Sequence, residues 1–185
     1  MSDLNADMHR RSFLAGAAKL AAIPALAALA GGVLAEPASA HTDRTPRTRR
    51  NERIVRRFYR LAEDMDMVGW VAAFTHDGTY TDMSVPRTYR GPKELRKPVE
   101  VMARAFPDLH REVEQVYVID HGMVIVQLRL QGTHLGTLVT PDGTFPATGK
   151  RIDAPCGDVF EIVDGRIKRF DSYPEGLVIA RQIGV

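Results

Sequence analysis

A two-residue turn, Asp164-Gly165, separates two runs rich in β-branched and aromatic residues, Asp158-Val-Phe-Glu-Ile-Val163 and Arg166-Ile-Lys-Arg-Phe-Asp171. A type I′ turn needs positive φ at both loop positions, which Asp and Gly tolerate, so this dipeptide is a strong hairpin signal. A loop this short predicts the register. Val163 faces Arg166, Ile162 faces Ile167, Phe160 faces Arg169 and Asp158 faces Asp171. Alternation then puts Cys156, Asp158, Phe160 and Ile162 on one face with Ile167, Arg169, Asp171 and Tyr173.

That face is mostly apolar, yet it carries two acids. Opposed Cβ atoms lie roughly 4.5 to 5.5 Å apart, so two ionised carboxylates repel, and burial adds a desolvation cost. One acid then keeps its proton near neutral pH. A protonated and an ionised carboxyl together supply a hydrogen-bond donor and a general base, the pair that proton transfer beside a carbonyl needs. The other reading of the same residues is a wet hairpin end, with both acids solvated and Arg169 as counter-ion.

The first forty residues read as a leader outside the fold. His9-Arg-Arg-Ser-Phe-Leu14 is similar to the twin-arginine export motif, with His9 and Ala15 departing from its usual residues. An Ala-rich stretch runs to about Leu34, and Ala38-Ser39-Ala40 offers an A-x-A cleavage site. Lys19, Pro24 and Gly31-Gly32 interrupt the apolar run, which argues against a retained membrane anchor. The expected organisation is a signal peptide at 1–40, a flexible linker at 41–50 and one domain at 51–185. The protein is expected to be exported, periplasmic or secreted, with no stable membrane anchor after cleavage.

One cysteine, Cys156, cannot form an internal disulfide, so packing must hold the domain. Twenty-five basic against 23 acidic residues give a net charge of +2, which argues against nucleic acid as a partner. Ile54, Phe58, Leu61 and Met65 recur at helical spacing and predict a helix from Asn51, capped by Asn51 or Thr48. A second short helix is expected from Asp66, with Val68, Val71, Ala72 and Phe74 inward and Trp70 nearby. A short strand is expected at Thr79–Met83, and a third helix runs from Lys93 to about Ala105, stopped before Pro107. The rest reads as antiparallel sheet. Helices first and strands afterwards indicate an α+β fold, in which a curved sheet over helices encloses an apolar pocket.

The order of motifs resembles the SnoaL-like polyketide cyclases of the cone-shaped nuclear transport factor 2-like superfamily. The matching pieces are Val55-Arg-Arg-Phe-Tyr59, Gly91-Pro-Lys-Glu-Leu95, Ala105-Phe-Pro-Asp-Leu109, Gly132-Thr-His-Leu-Gly136, Gly149-Lys-Arg-Ile152 and Asp158 to Ile167, followed by a terminal segment, Gly176 to Gly184. The resemblance implies a general acid/base on the final strand, which falls at Asp171, with Asp158 as its polar partner on the preceding strand. Where relatives often carry Asp-His after the first short strand, this chain has Asp82-Met83.

The resulting expectation is an enzyme doing aldol or isomerisation chemistry on a small hydrophobic molecule bearing a carbonyl, without a cofactor. Asp171 is the base and Asp158 the donor, assisted by Tyr173 or Tyr59, while His134, Arg169, Phe160 and Trp70 complete the substrate site. Two alternatives are an epoxide hydrolase-like set of Arg169, Asp171 and Asp158, and a non-catalytic periplasmic binder. No histidine pair has zinc-ligand spacing, so no metal is expected. The resemblance also implies a homodimer formed through the outer face of the sheet.

Overall fold

A computed structural model describes residues 45–119 and 122–185; the export motif and the proposed cleavage site lie outside the described residues. The chain runs α1 (Pro46–Glu63), α2 (Met67–Ala72), β1 (Phe74–Asp82), β2 (Arg87–Arg90), α3 (Gly91–Leu95), α4 (Lys97–Ala105), β3 (His110–Val118), β4 (Met123–Thr133), β5 (Leu138–Thr140), β6 (Gly143–Phe145), β7 (Arg151–Val163), β8 (Arg166–Pro174) and α5 (Gly176–Ile183). This is the expected α+β arrangement, helices against a curved sheet.

Helix α1 starts within the segment expected to be linker. Pro46 occupies its first turn, and Thr45 Oγ1 accepts from the Thr48 amide at 3.2 Å, so Thr45 is the cap instead of Thr48 or Asn51. Its inward stripe is Asn51, Val55, Phe58, Tyr59 and Ala62. In α2 the buried residues are Met67 and Trp70, whereas Val68 is 82% exposed, so the inner face differs from the expected one. The third expected helix is two pieces, α3 and α4, meeting at Arg96 because Pro98 sits in the first turn of α4.

The main sheet has the order β2-β1-β8-β7-β4-β3. All its pairings are antiparallel except β1 with β8, so the sheet is mixed and not wholly antiparallel. No short turn links β1 to β8, and nothing local dictates their relative direction. Strands β5 and β6 form a separate small hairpin.

The β7–β8 turn is as expected, with φ of 50° at Asp164 and 82° at Gly165. The register holds for Val163 with Arg166 and Ile162 with Ile167, then shifts by one. Lys168 is the extra residue, a β-bulge, and beyond it Phe160 faces Phe170 and Asp158 faces Ser172. The bulge sits against an irregular stretch of β1. Phe74 pairs with Ile167 and Thr79 with Arg169, so residues 75–78 loop out, and Lys168 pairs with Asp77. At Gly78 an added Cβ would lie 2.9 Å from the Ile167 carbonyl, so this tight passage needs glycine.

The core fills the helix-facing side with rings. Phe58 stacks on Trp70 at 3.7 Å between centroids, Phe160 on Phe170 at 4.5 Å and Tyr80 on Phe170 at 4.6 Å. Ring pairs of this kind add to the burial of their area.

Candidate active site

One residue of shift changes which acids meet. In a strand, moving the register by one sends every later side chain to the other face. Ser172 and Phe170 therefore point inward with Asp158, while Arg169, Asp171 and Tyr173 point outward. Asp171 pairs with Val159 on one side and Thr81 on the other, and its carboxylate lies 3.5 Å from Arg169. The expected Asp158–Asp171 pair is not formed. The epoxide hydrolase-like set falls for the same reason, since Arg169 and Asp171 lie on the face opposite Asp158.

Asp158 is 3% exposed and has its own partners. Tyr59 Oη on α1 donates to Asp158 Oδ2 at 2.8 Å, and the Cys156 thiol lies 3.4 Å from Oδ1. Ser172 Oγ, 3.6 Å from Cys156 Sγ, also hydrogen-bonds the carboxyl. In the same inward row stand Asp82 and Val126. Asp82 turns its carboxylate to Ser84, accepting from the amide at 2.9 Å and the hydroxyl at 2.6 Å.

Burial raises the proton affinity of Asp158 above the ordinary carboxylate range, opposed by hydrogen bonds from Ser172, Tyr59 and Cys156 and by the positive charge of Arg111. Tyr59 is held well above the usual phenol value, first by burial and then by the adjacent Asp158, so it stays a donor at any ordinary pH. Burial likewise pushes the Cys156 thiol far up, which keeps it un-ionised and a poor nucleophile.

Arg111 acts on this cluster through its positive charge. It stands opposite buried Leu130 on the inward side of β3 and lines a narrow cleft of about 20 Å3 with Ala62, Glu63, Met65, Val99, Ala103, Phe106, Pro107 and Leu109. A larger hollow of about 320 Å3 lies elsewhere, among Gln131, Arg151, Ile152, Asp153 and Gln182. It is a polar depression where Asp153 is already bound by Arg129 at 2.5 Å, and neither hollow is lined by Asp158 or Tyr59.

Phe160 and Trp70, expected in the substrate site, are buried in the ring stack, with Phe160 beside Tyr59 at 5.9 Å. His134 is also fully buried. Its ring lies against Phe106 at 5.1 Å and its Nδ1 meets Thr148 Oγ1 at 3.1 Å, while Nε2 has no partner. It thus backs one wall of the cleft. Sequence reasoning missed Ser172 and Arg111. Ser172 was hidden by the bulge, and Arg111 by its place in a strand whose exposed residues are also charged. Among the described residues no group of three His, Cys, Asp or Glu side chains could hold a metal ion.

The profile of the SnoaL-like domain matches residues 55–170. Two aklanonic acid methyl ester cyclases, DnrD of Streptomyces peucetius and DauD of Streptomyces sp. strain C5, are each 32% identical over 96 residues, 51% of this chain. The match spans 63% and 56% of their respective lengths. Among solved structures, one from Jannaschia sp. CCS1 described as a SnoaL-like polyketide cyclase superposes with a TM-score of 0.68 at 24% identity, over 77% of this chain and 97% of that one. TsrD of Streptomyces laurentii gives 0.62 at 18% identity, over 74% and 96%. At those identities the structures attest the fold. The profile match over more than half the chain attests the family, and the protein belongs to the SnoaL-like domain family.

Proposed function

We propose that the protein is an enzyme of acid/base chemistry, of the aldol cyclisation or isomerisation type, acting on a hydrophobic small molecule that bears a carbonyl, with Asp158 as the group that takes and returns the proton. The observation that carries this reading is a carboxylate 3% exposed, with raised proton affinity and a 2.8 Å hydrogen bond from a tyrosine that stays protonated. Raised proton affinity makes the ionised form a stronger base. A carbon beside a carbonyl gives its proton to Asp158, and the negative charge moves to the carbonyl oxygen. Tyr59 Oη and Ser172 Oγ are the neighbouring donors that can stabilise that oxygen. The proton then returns to carbon, or the enolate carbon attacks a second carbonyl, forming a C–C bond, and the alkoxide so produced takes the proton held by Asp158. Both outcomes are net redox-neutral and restore the ionised Asp158. The matched relatives, named as ester cyclases, agree with this reaction class. A purely binding role is less favoured, because no Lys or Arg lies within ion-pair distance of Asp158 among the described residues to fix its charge.

Exchange of the protons beside the carbonyl of 2-tetralone in deuterated water, followed by NMR, tests the reading. The wild type should accelerate exchange over buffer, and Asp158→Asn should lose roughly 100-fold or more of that acceleration. No acceleration by the wild type, or full activity in the Asn variant, would overturn it.

We also propose that the protein works outside the cytoplasm, on the strength of Arg10-Arg11 and Ala38-Ser39-Ala40. Replacing both arginines by lysine should leave the precursor inside the cell, and mass spectrometry of the exported form should find a chain beginning near His41.

A further inference from the structure

Helix α1 carries an unbroken arginine face. At about 100° per residue, the positions between residues 49 and 60 that fall in one sector roughly 120° wide are Arg49, Arg50, Arg53, Arg56, Arg57 and Arg60, and no other residue type enters that sector. All six are exposed. They lie across the helix from the buried stripe that holds Val55, Phe58 and Ala62. The helix has seven arginines against two glutamates, a net charge of +5, in a chain that carries only +2. Among the described residues, Arg56 alone of the six has a carboxylate within 4.0 Å, that of Glu52 at 3.0 Å. Like charges three or four residues apart weaken a helix, so Arg49 beside Arg53, Arg53 beside Arg57 and Arg56 beside Arg60 are unfavourable neighbours until an anion lies over them.

A planar guanidinium pairs with two oxygens of a phosphate ester, and a row of them about 16 Å long meets several phosphates held in one plane. Two apolar side chains distinguish between phosphate-bearing surfaces. Where α1 ends, Met65 is 42% exposed, and Val68 at the start of α2 is 82% exposed. Apolar side chains next to a basic helix face fit the boundary between lipid headgroups and acyl chains. A nucleic acid offers them no apolar layer, and the arginine sector has no aromatic ring to stack on a base and no Asn or Gln to read one. We propose that α1 is a docking surface for a bilayer containing anionic phospholipid, with the six arginines on the headgroup phosphates and Met65 and Val68 entering between the headgroups. The helix lies flat on the surface while its other face stays packed in the core. Among the described residues no helix is long and apolar enough to cross a membrane. The attachment is therefore peripheral and reversible.

The full chain is sedimented with vesicles of phosphatidylcholine alone, or with phosphatidylglycerol as about one lipid in three, at low and high salt. The wild type should bind the anionic vesicles at least about tenfold more tightly than the neutral ones, and high salt should remove most of the difference. Each basic residue at such a surface is worth roughly fivefold in partitioning, so Arg53→Gln combined with Arg57→Gln should cost roughly 25-fold on anionic vesicles and little on neutral ones. Val68→Ser should weaken binding at low and high salt alike. Equal binding of anionic and neutral vesicles by the wild type overturns the inference, and that comparison needs no variant to fold. An anionic preference that survives the double Gln substitution overturns it too, because the preference then comes from elsewhere in the chain. Tighter binding to a short DNA duplex than to the anionic vesicles, at equal phosphate concentration, would assign the face to nucleic acid instead.

Discussion

Tyr59 on α1 and Asp158 on β7, ninety-nine residues apart in sequence, meet through a hydrogen bond of 2.8 Å between buried side chains. The phenol donates to the carboxylate, so each group's protonation depends on the other. Both have raised proton affinity in the folded protein. Their contributions therefore share one sign.

For Asp158 the folded state binds its proton more tightly than the unfolded chain does. The associated stability is fully present below the unfolded Asp value of about 3.9 and is lost as pH rises through the folded value. Asp158→Asn should flatten that decline, so the variant gains on the wild type between about pH 4 and the upper end of the folded titration. Tyr59 contributes the same slope above about pH 10. Tyr59→Phe removes a donor from a buried carboxyl and should cost about 1 to 3 kcal/mol. Urea midpoints of the three proteins, measured across pH, read all of these differences. A wild type whose stability relative to Asp158→Asn rises with pH would refute the sign.

Asp171 should behave unlike Asp158. It lies on the outer face between Val159 and Thr81, with Arg169 at 3.5 Å as its charge partner. Asp171→Asn is expected to keep 2-tetralone exchange within about threefold of the wild type, as for a side chain that does not touch the reacting atoms. A loss as deep as that of Asp158→Asn would place the base on the wrong strand.

His134 gives a second pH dependence of opposite sign. Burial lowers its proton affinity, and its Nε2 has no partner. The folded state thus disfavours the charged ring, and stability should fall as pH drops through the unfolded value of about 6.5 towards the folded one. His134→Phe keeps a ring against Phe106 and removes the titration. Its stability should change less than the wild type's between pH 7.5 and 4.5, in circular dichroism melts at matched ionic strength. Equal slopes would mean that the histidine is hydrated when folded.

How far the sequence disclosed the site depends on one residue, Lys168. The turn, the strands on either side of it and the inward placement of Asp158 and Phe160 follow from local pattern, because turn chemistry and alternation are properties of neighbouring residues. The helical stripe read as Ile54, Phe58, Leu61 and Met65 is instead Asn51, Val55, Phe58, Tyr59 and Ala62, with Met65 exposed. The bulge is not local. It forms where β8 runs beside β1, whose residues 75–78 loop out, and where Lys168 meets Asp77 ninety-one residues earlier. Nothing in the run from Arg166 to Asp171 signals that partner. A strict two-residue alternation therefore put Arg169, Asp171 and Tyr173 inward, and it passed over Ser172. The first helix shows the same limit on a smaller scale, since Thr45 caps it through a hydrogen bond to Thr48, while the density of arginine just beyond reads as a solvated linker.

The turn itself supplies the last test. Gly165 has φ of 82°, and an added Cβ would sit 2.5 Å from the end of the Arg50 side chain. That arginine is flexible and can move, so the cost of a side chain here comes chiefly from the backbone. A β-branched residue in this region of φ is strained, whereas Asn enters it readily. Gly165→Val should therefore destabilise the domain by about 1 to 3 kcal/mol, while Gly165→Asn should stay within about 1 kcal/mol of the wild type. Because the turn anchors the strand that carries Ser172, the Val variant should also slow 2-tetralone exchange beyond what its unfolded fraction explains. Thermal melts and exchange rates on the same samples separate the two effects. Equal stability of the Val and Asn variants would show that the positive φ at this position carries no strain.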